Sequence, residues 1–523
     1  MKVLIGNPAC RRAMDNGLER YMMGSGIRFP WSLLKDQNSR PRFSMFPMFL
    51  GYAAALLEQD DFEVGVIDGV PLNLSDAEYE QRLLEFEPAV IVVEPNSAVV
   101  DDVMLQLTRL RNHTHAAVIV IGSHVTAEYR QLFDRYDVAN YGVSGEYEYG
   151  LVDLLRHLRD GKPVSAVKGA IYRDANNVVC SNAIAPAVEN LDELPIPARH
   201  LFPAYFDSDI NAYHDGFNQL SPAIDMHATR GCPYRCNFCV WVQVLYRNGN
   251  QRLRTPSAVV DEMLLLEKRY GAREIYFDDD NFTANKKYVD QLCDEMLRRG
   301  TGIKWSALAD AIALNENMLE KMATAGCIGL KFGLDSADSE VLRKSNKPLK
   351  VSRVDGLVKK AKSLGIKTHM TVVLGLSGET KETLQRTFDF SCQLDIDSIQ
   401  YSMATPIPGT GLYEGLKKEQ KLHFKRWDEL DGYSSSVIAY DDFDKAYIES
   451  FMTDVHSRWL RARLKHPLWV IRQIRYLARL TRVQGLKGLV RRVNRGARLL
   501  VGDTARVNRV LKNDSAQSRV MRY

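Results

Sequence analysis

Two hydrophobic periodicities alternate along this chain. Short apolar runs of strand length occur at Lys2–Gly6, Val64–Asp68, Ala89–Glu94, Ala117–Gly122 and Val138–Val143. Between them, at Phe46–Glu58, Asp76–Phe86 and Val99–Arg111, apolar positions recur at helical spacing. Alternation of this kind predicts a parallel, doubly wound α/β sheet, Rossmann-like, over residues 1–158. Ligands of such sheets sit outside the carboxyl ends of the strands. The sequence places Asn7, Asp68, Glu94, Gly122, Ser123, His124, Gly145 and Glu146 there. Small, polar, turn-forming residues suit a pocket rim, and they equally suit ordinary βα loops.

A second alternation covers residues 222–415. Strands are expected at Ile224–Thr229, Glu274–Asp278, Ile303–Leu308, Ile328–Leu334, Lys367–Leu374 and Ser398–Met403. Helical patterns lie between them, among them Pro256–Tyr270, with proline in its first turn and Thr255 before it. Six such units predict a partial (β/α)6 barrel with its chemistry at the C-terminal strand ends. Residues 159–221 form a connector, with a hairpin at Gly169–Val179 and a proline-punctuated extended stretch at Leu191–Pro203. Residues 416–523 are expected to be a helical C-terminal domain with a basic amphipathic tail.

Composition narrows the class. The 523 residues are 45% apolar and 26% charged, which excludes a disordered chain and predicts several domains. No apolar run approaches the roughly 18–20 residues of a membrane span. The apolar start lacks a small-residue cleavage site, and eight scattered cysteines make no disulfide framework, so a cytoplasmic protein is expected. Charge is unevenly spread. From Arg458 onward there are 18 basic and 2 acidic residues, a net +16, against 51 and 63 elsewhere, a net −12. A helix opening at Pro467 would gather Val470, Ile471, Ile474, Leu477 and Ala478 on one face and Arg472, Arg475, Arg479 and Arg482 opposite, with Trp469 and Tyr476 on the flank. That pattern suits docking on the barrel by the apolar face, peripheral contact with an anionic membrane at its inner face, or, least of the three, nucleic acid.

The most specific signal follows the first barrel strand. Cys232, Cys236 and Cys239 stand at C-x3-C-x2-C spacing, with Tyr234 between the first two and Phe238 just before the third. Thiolates bind soft metals, and three of them leave one iron of a four-iron cluster open. Structural zinc prefers a closed set of four ligands, and disulfide redox chemistry needs only two cysteines. The other cysteines, Cys10, Cys180, Cys293, Cys327 and Cys392, stand singly and read as core thiols.

This loop resembles the signature of radical S-adenosylmethionine (radical SAM) enzymes, and further segments match in order. Ile275–Thr283 (IYFDDDNFT) resembles the second-strand motif, with Asp279, Asp280 and Asn281 at the positions that hold the methionine end of the cofactor. A helix-capping role is the alternative for Asp280 or Asn281. Phe332–Ala337 (FGLDSA) resembles G-x-E-S, with Asp335 replacing Glu beside Ser336. His369–Thr380 resembles the G-x-P-G-E-T segment, with Ser377 where proline is expected and Gly375 and Gly378 for close approach to adenine, or for an ordinary βα turn. Thr405–Tyr413 (TPIPGTGLY) resembles the end of this barrel.

In the N-terminal part Asn7-Pro8, Gly24–Trp31, Gly122–Thr126, Ser144–Glu148 and LDELPIPARHL are together similar to the cobalamin (B12)-binding branch of the family. The resemblance covers roughly residues 1–415. It implies a [4Fe–4S] cluster on Cys232, Cys236 and Cys239, S-adenosylmethionine on the open iron, and cobalamin on the N-terminal domain. A 5′-deoxyadenosyl radical would activate an unactivated carbon of a small-molecule or lipid-like intermediate, which would take a methyl group by way of cobalamin. A flavodoxin or ferredoxin-like donor would supply electrons. Cyclisation without net methyl transfer is the alternative. D-x-H-x-x-G is absent, so no histidine is expected beneath cobalt; His124 would line the corrin edge or sit in a surface loop. RNA methylthiotransferases carry a second three-cysteine cluster ahead of the barrel, and only Cys10 and Cys180 precede Cys232 here.

Overall fold

The computed structural model describes residues 1–523 apart from 14–17, 24–30, 37–43, 203–212, 214–215, 248–249, 434, 476 and 478–523. Most of the Gly24–Trp31 resemblance lies outside the described residues, as do Tyr476, Ala478, Arg479 and Arg482 of the basic tail.

The first sheet contains β1 (Lys2–Asn7), β2 (Glu63–Asp68), β3 (Val90–Val93), β4 (Ala117–Ile121), β5 (Tyr141–Val143), β6 (Ala170–Arg173) and β7 (Val179–Ser181), in the order β7-β6-β5-β4-β3-β1-β2. The pairs from β2 through β5 are parallel, whereas β5–β6 and β6–β7 are antiparallel. The Val/Ile runs of β3 and β4 are buried along nearly their whole length, as strands covered on both faces require. Helices α1 (Met48–Gln59), α2 (Asp76–Phe86), α3 (Val100–Leu110) and α4 (Ser123–Arg135) connect the parallel strands, and α5 (Tyr147–Arg159) leads from β5 to the antiparallel β6. Ser75 and Glu78 close a reciprocal capping box at the start of α2. The hairpin expected within the connector therefore extends this sheet by two strands. Its pairing with β5 is non-local and leaves no mark on the local pattern. An antiparallel ribbon of Arg11–Ala13, Leu18–Met23 and Trp31–Asp36 follows β1.

The second sheet is β8 (Ala223–Met226), β9 (Glu274–Phe277), β10 (Lys304–Ala309), β11 (Cys327–Asp335), β12 (Lys367–Leu374) and β13 (Ser398–Met403), all parallel and paired in chain order. It is the open, six-stranded barrel that the sequence pattern implies. Helices α6 (Pro256–Tyr270), α7 (Lys286–Arg299), α8 (Glu316–Thr324), α9 (Val354–Ser363) and α10 (Lys381–Gln393) return the chain outside it. Thr255, Asn285, Asn315 and Thr380 cap four of these helices with side-chain oxygens. α11 (Lys445–Leu464) packs across α10 and β13 through Phe451, Val455 and Trp459, so the C-terminal helix covers the barrel's last strand.

Buried charges join the two layers. Arg230, four residues beyond β8, inserts its guanidinium between Glu146 (2.7 Å) and Glu148 (2.6 Å) at the start of α5, over the rings of Phe49 and Tyr52 on α1. Arg252 adds a second bond to Glu146 (2.6 Å). Arg199, from the proline-rich connector, donates to Glu262 on α6 (3.0 Å) and to the Asp225 carbonyl (2.7 Å). Arg254 completes that site on Glu262 (2.6 Å).

Candidate active site

The three-cysteine loop leaves the barrel directly after the short strand Thr229–Arg230. The turn needs glycine. Gly231 has φ +90°, and a Cβ there would stand 2.2 Å from the Asn250 carbonyl oxygen. Acidic strand-end residues of β9 hold the loop. Asp279 accepts from the Ala228 N–H and the Thr229 hydroxyl, both at 2.9 Å, and Asp280 accepts from the Gly231 N–H at 2.6 Å. The Asn281 amide lies 3.6 Å from Cys232 Sγ. These residues neither cap α7, which Asn285 does, nor turn away from the loop. They fasten the backbone that carries the thiols, a role the sequence reading did not foresee for Asp279 and Asp280.

The far side of the loop is tied across the barrel. The Asn237 N–H donates to Ser345 O (3.0 Å), its side chain reaches Lys344 O (3.1 Å) and Ser377 Oγ (3.4 Å), and its carbonyl accepts from the Leu412 N–H (2.8 Å). Ser377, standing where the family pattern has proline, thus supplies a polar contact to the cysteine loop. Burial pushes the Cys232 thiol up to about 12 and the Cys236 thiol higher still. Both are therefore protonated at neutral pH and release protons when a metal binds. Tyr234 is half-buried and raised to about 12 by the same cause. Phe238 packs on the apolar cluster shared with the N-terminal domain. Among the described residues no three His, Cys, Asp or Glu side chains converge as a ready metal cage. The fit to an iron–sulfur cluster rests on the donors themselves: three soft sulfurs within eight residues, on one braced loop.

Beside this loop lies a charged trio that sequence reasoning missed. Lys347 is buried, with its ammonium 2.5 Å from Asp335 and 3.2 Å from Asp310, and it also donates to Gly333 O (2.7 Å). Burial opposes its charge, but the two carboxylates outweigh that and hold it above the ordinary lysine range. Asp310 is raised by burial. The left-handed Asp335 (φ +60°), at the end of β11, thus presents its carboxylate to Lys347. Ser336 is fully buried and spends its hydroxyl on the Asp338 N–H (3.1 Å) and Thr387 Oγ1 (3.2 Å), so it shapes the turn. Gly375 and Gly378 both have positive φ, and Glu379, missed as a site residue, accepts from the Gly375 and Leu376 N–H groups (3.0 and 3.2 Å). Burial raises Glu379 to about 7.

At the N-terminal domain the expected residues gather in separate groups. At the ends of β1 and β2, Asp68 accepts from Asn7 (2.9 Å), from the hydroxyl of Tyr213 (2.7 Å) and from the Val70 N–H (3.4 Å). Its burial raises it to about 7. Glu94 accepts from the Tyr147 hydroxyl (2.9 Å) and packs under Gly122, where a Cβ would come within 2.7 Å of it. Ser123 opens α4, and the Gly145 N–H donates to Thr126 Oγ1 (2.9 Å). Glu146 is no rim residue. Its oxygens are taken by Arg230, Arg252 and the Val188 N–H, because a carboxylate this deep requires partners. His124 is buried, its Nδ1 3.0 Å from Ser97 Oγ and its ring edge-on to Trp427 from the C-terminal region, which overturns the surface-loop alternative. Burial lowers it to about 3, so it is neutral. The side chains at these strand ends are thus buried and bonded within the protein.

Residues 226–391 match the Radical SAM superfamily. The matched segment carries the three-cysteine loop and the strands β9 to β12. An uncharacterized methyltransferase of Pyrococcus horikoshii is 28% identical to it over 370 residues, 70% of this chain and 78% of the relative. The cytidylyl-2-hydroxyethylphosphonate methyltransferase of Streptomyces wedmorensis is 27% identical over 420 residues, 70% and 77% of the two chains. An anaerobic magnesium-protoporphyrin IX monomethyl ester cyclase of Rubrivivax gelatinosus is 24% identical over 431 residues, 80% and 75%. Among solved structures, the radical S-adenosylmethionine methyltransferase TsrM of Kitasatospora setae, with cobalamin and [4Fe–4S] cluster bound, superposes with TM-score 0.61 at 19% identity, covering 80% of this chain and 75% of that one. The cobalamin-dependent radical enzyme OxsB, with aqua-cobalamin and S-adenosylmethionine bound, gives TM-score 0.65 at 15% identity, covering 100% and 81%. The fold of this chain, a doubly wound sheet joined to an open six-stranded barrel, is therefore shared with these two structures.

Proposed function

We propose that this chain is a cobalamin-dependent radical SAM methyltransferase acting on an unactivated carbon of a small molecule. The observation that carries the reading is the joining, in one chain, of a braced three-cysteine loop after the first barrel strand to a doubly wound sheet whose strand ends meet that barrel. When bound, the [4Fe–4S] cluster and S-adenosylmethionine supply a 5′-deoxyadenosyl radical, and cobalamin supplies a methyl carrier. The protein's share is positioning. Cys232, Cys236 and Cys239 would hold the cluster, with Asp279, Asp280 and Asn237 fixing their loop. Asp335, Lys347 and Asp310 would set a fixed field at the barrel mouth beside it. Asn7, Asp68, Glu94, Gly122, Ser123, His124 and Gly145 would form the floor for cobalamin. Glu146 would hold that floor against the barrel. A flavodoxin or ferredoxin-like donor would provide electrons. The basic C-terminal region would bring peripheral contact with a membrane surface, which makes a lipid-like substrate attractive.

The test uses full-length protein reconstituted anaerobically with iron, sulfide and hydroxocobalamin and then desalted. About four irons and about one cobalamin per chain are expected, with iron lost in Cys232→Ala. Iron without cobalamin would sink the methyltransferase reading. Given both cofactors, S-adenosylhomocysteine formed alongside 5′-deoxyadenosine favours methyl transfer, and deoxyadenosine alone favours cyclisation.

A further inference from the structure

Beyond α11 the chain breaks at Lys465–His466 and resumes as a helix over residues 467–475. Its rotation about its own axis is fixed by polar contacts with the loop before β13. Trp469 is buried; its indole N–H donates to Ile396 O (3.1 Å), and its ring stands edge-on to Trp459. Arg472 donates to Asp395 (2.6 Å) and lies 3.6 Å from Asp397, and Gln473 donates to Asp397 O (3.2 Å). Arg463, at the end of α11, grips Asp395 as well (2.7 Å).

This orientation departs in part from the one expected from amphipathicity, although Val470 still packs on the core and Arg475 stays exposed. An arginine of the polar face points inward, because the barrel offers two aspartates and bare carbonyls there. Ile471 and Ile474, from the face expected to dock, point outward. Leu468, Ile471 and Ile474 are 72%, 45% and 59% exposed, and Leu464 just before them is exposed too. The other exposed large hydrophobics among the described residues are scattered along the chain. Only here do four fall within eleven residues, and exposed apolar side chains gathered in this way mark an interaction surface.

Charge decides what covers it. Lys465 and Arg475 border the face and are exposed, and the segment from Arg458 onward carries the net +16. A second copy would set Lys465 and Arg475 against the same two cations. A nucleic acid would satisfy the charge but leave the leucine and isoleucines without an apolar partner. A bilayer rich in anionic lipid satisfies both requirements: hydrocarbon for Leu464, Leu468, Ile471 and Ile474, and phosphates for the cations. We propose that this face, held rigidly on the radical SAM barrel, is a docking surface for anionic lipid membranes. The inference deepens the peripheral-contact reading above, and it stands or falls separately from the cofactor chemistry.

The test is flotation of full-length reconstituted protein with vesicles of phosphatidylcholine alone or mixed with phosphatidylglycerol. The variant Leu468→Ser/Ile471→Ser/Ile474→Ser leaves every charge in place. The wild type is expected to float with mixed vesicles and not with neutral ones, and added salt should weaken that binding. The triple variant is expected to lose more than about tenfold of it, given three apolar side chains no longer buried, while keeping its iron and its cleavage of S-adenosylmethionine. Retained iron separates a lost surface from a lost fold, and Ile474→Ser alone should give a smaller drop in the same direction. Equal flotation of wild type and triple variant, or no flotation of the wild type with mixed vesicles, overturns the proposal. Self-association or binding of an RNA oligonucleotide that the triple variant abolishes, without vesicle binding, overturns it as well.

Discussion

The two parallel sheets of this molecule carry similar residues at the C-terminal ends of their strands and use them differently. In the barrel, Asp279, Asp280 and Asn281 reach outward to the loop that carries the three thiols. In the N-terminal sheet, Asp68 and Asn7 bond to each other, Glu94 takes the Tyr147 hydroxyl, and Glu146 is committed to arginines from the barrel. One rim presents donors for a metal; the other is closed on itself and presents a surface. A cluster must be ligated by named atoms. A broad planar cofactor with its own metal can be held by contact area and backbone, and it asks less of any single side chain.

The largest expected effect breaks the junction between the rims. Arg230→Met leaves Glu146 and Glu148 buried without their main cation and should cost about 3–5 kcal/mol, as removal of one partner of a buried pair does. Thermal unfolding and limited proteolysis between residues 159 and 221 would read it. Adding Glu148→Gln should recover part of the loss, because Glu148 is already raised by burial. An unchanged single variant would mean that the layers are held by apolar packing alone.

Asp279→Ala sharpens the contrast at the barrel rim. It removes the acceptor of two buried hydrogen bonds, which should cost about 2–3 kcal/mol. Iron should be lost to a chelator about tenfold faster than from the wild type, with cobalamin content unchanged. Loss of both cofactors together would instead show that the rims are not independent.

The N-terminal rim should respond to pH. Asp68 has a folded value of about 7 against 3.8 for a free aspartate side chain. The folded state therefore holds a proton that the unfolded chain has released. The stabilising contribution is fully present below 3.8 and is lost as pH rises through about 7. Asp68→Asn has no such titration. Its stability relative to wild type should rise by about 2 kcal/mol between pH 5 and pH 7 in unfolding experiments. A flat difference would place Asp68 in contact with water. His124 acts in the opposite sense. Held at about 3 by burial, it contributes stability that is present above its unfolded value near 6.5 and lost as pH falls toward 3.

The smallest effect is the control. Arg156 pairs with Asp60 at 2.6 Å on the surface of the N-terminal domain and is half-exposed. Arg156→Ala should cost less than about 1 kcal/mol, despite geometry as good as that of Arg230. A cost matching that of Arg230→Met would dissolve the distinction drawn from burial.

Much of this architecture was legible in the residues. The apolar runs at Val90–Val93 and Ala117–Ile121 became strands within a residue of the expected limits, because burial on both faces leaves a local composition signal. The cysteine loop was legible because its three cysteines fall within eight residues. What escaped were partners distant in sequence. Arg230 meets Glu146 across 84 residues, and the hairpin at 170–181 joins a sheet that its own pattern does not mention. The helix after Pro467 docks with a rotation that the pattern alone does not give, for a related reason. Apolar periodicity describes a helix alone, whereas Asp395 and Asp397 decided which face turned inward.

Arg230 and Cys232 are separated by a single glycine. The anchor that seats the two layers and the first thiol of the cluster loop are thus within about 7 Å of chain. A barrel transplanted onto a foreign N-terminal domain would carry its cysteines and lose the acidic socket that sets where they begin. Anyone building chimeras from this chain should move the Glu146–Glu148 turn with the barrel and place the splice before β5. At residue 158, where the periodicity changes, the cut would separate the socket from its arginine.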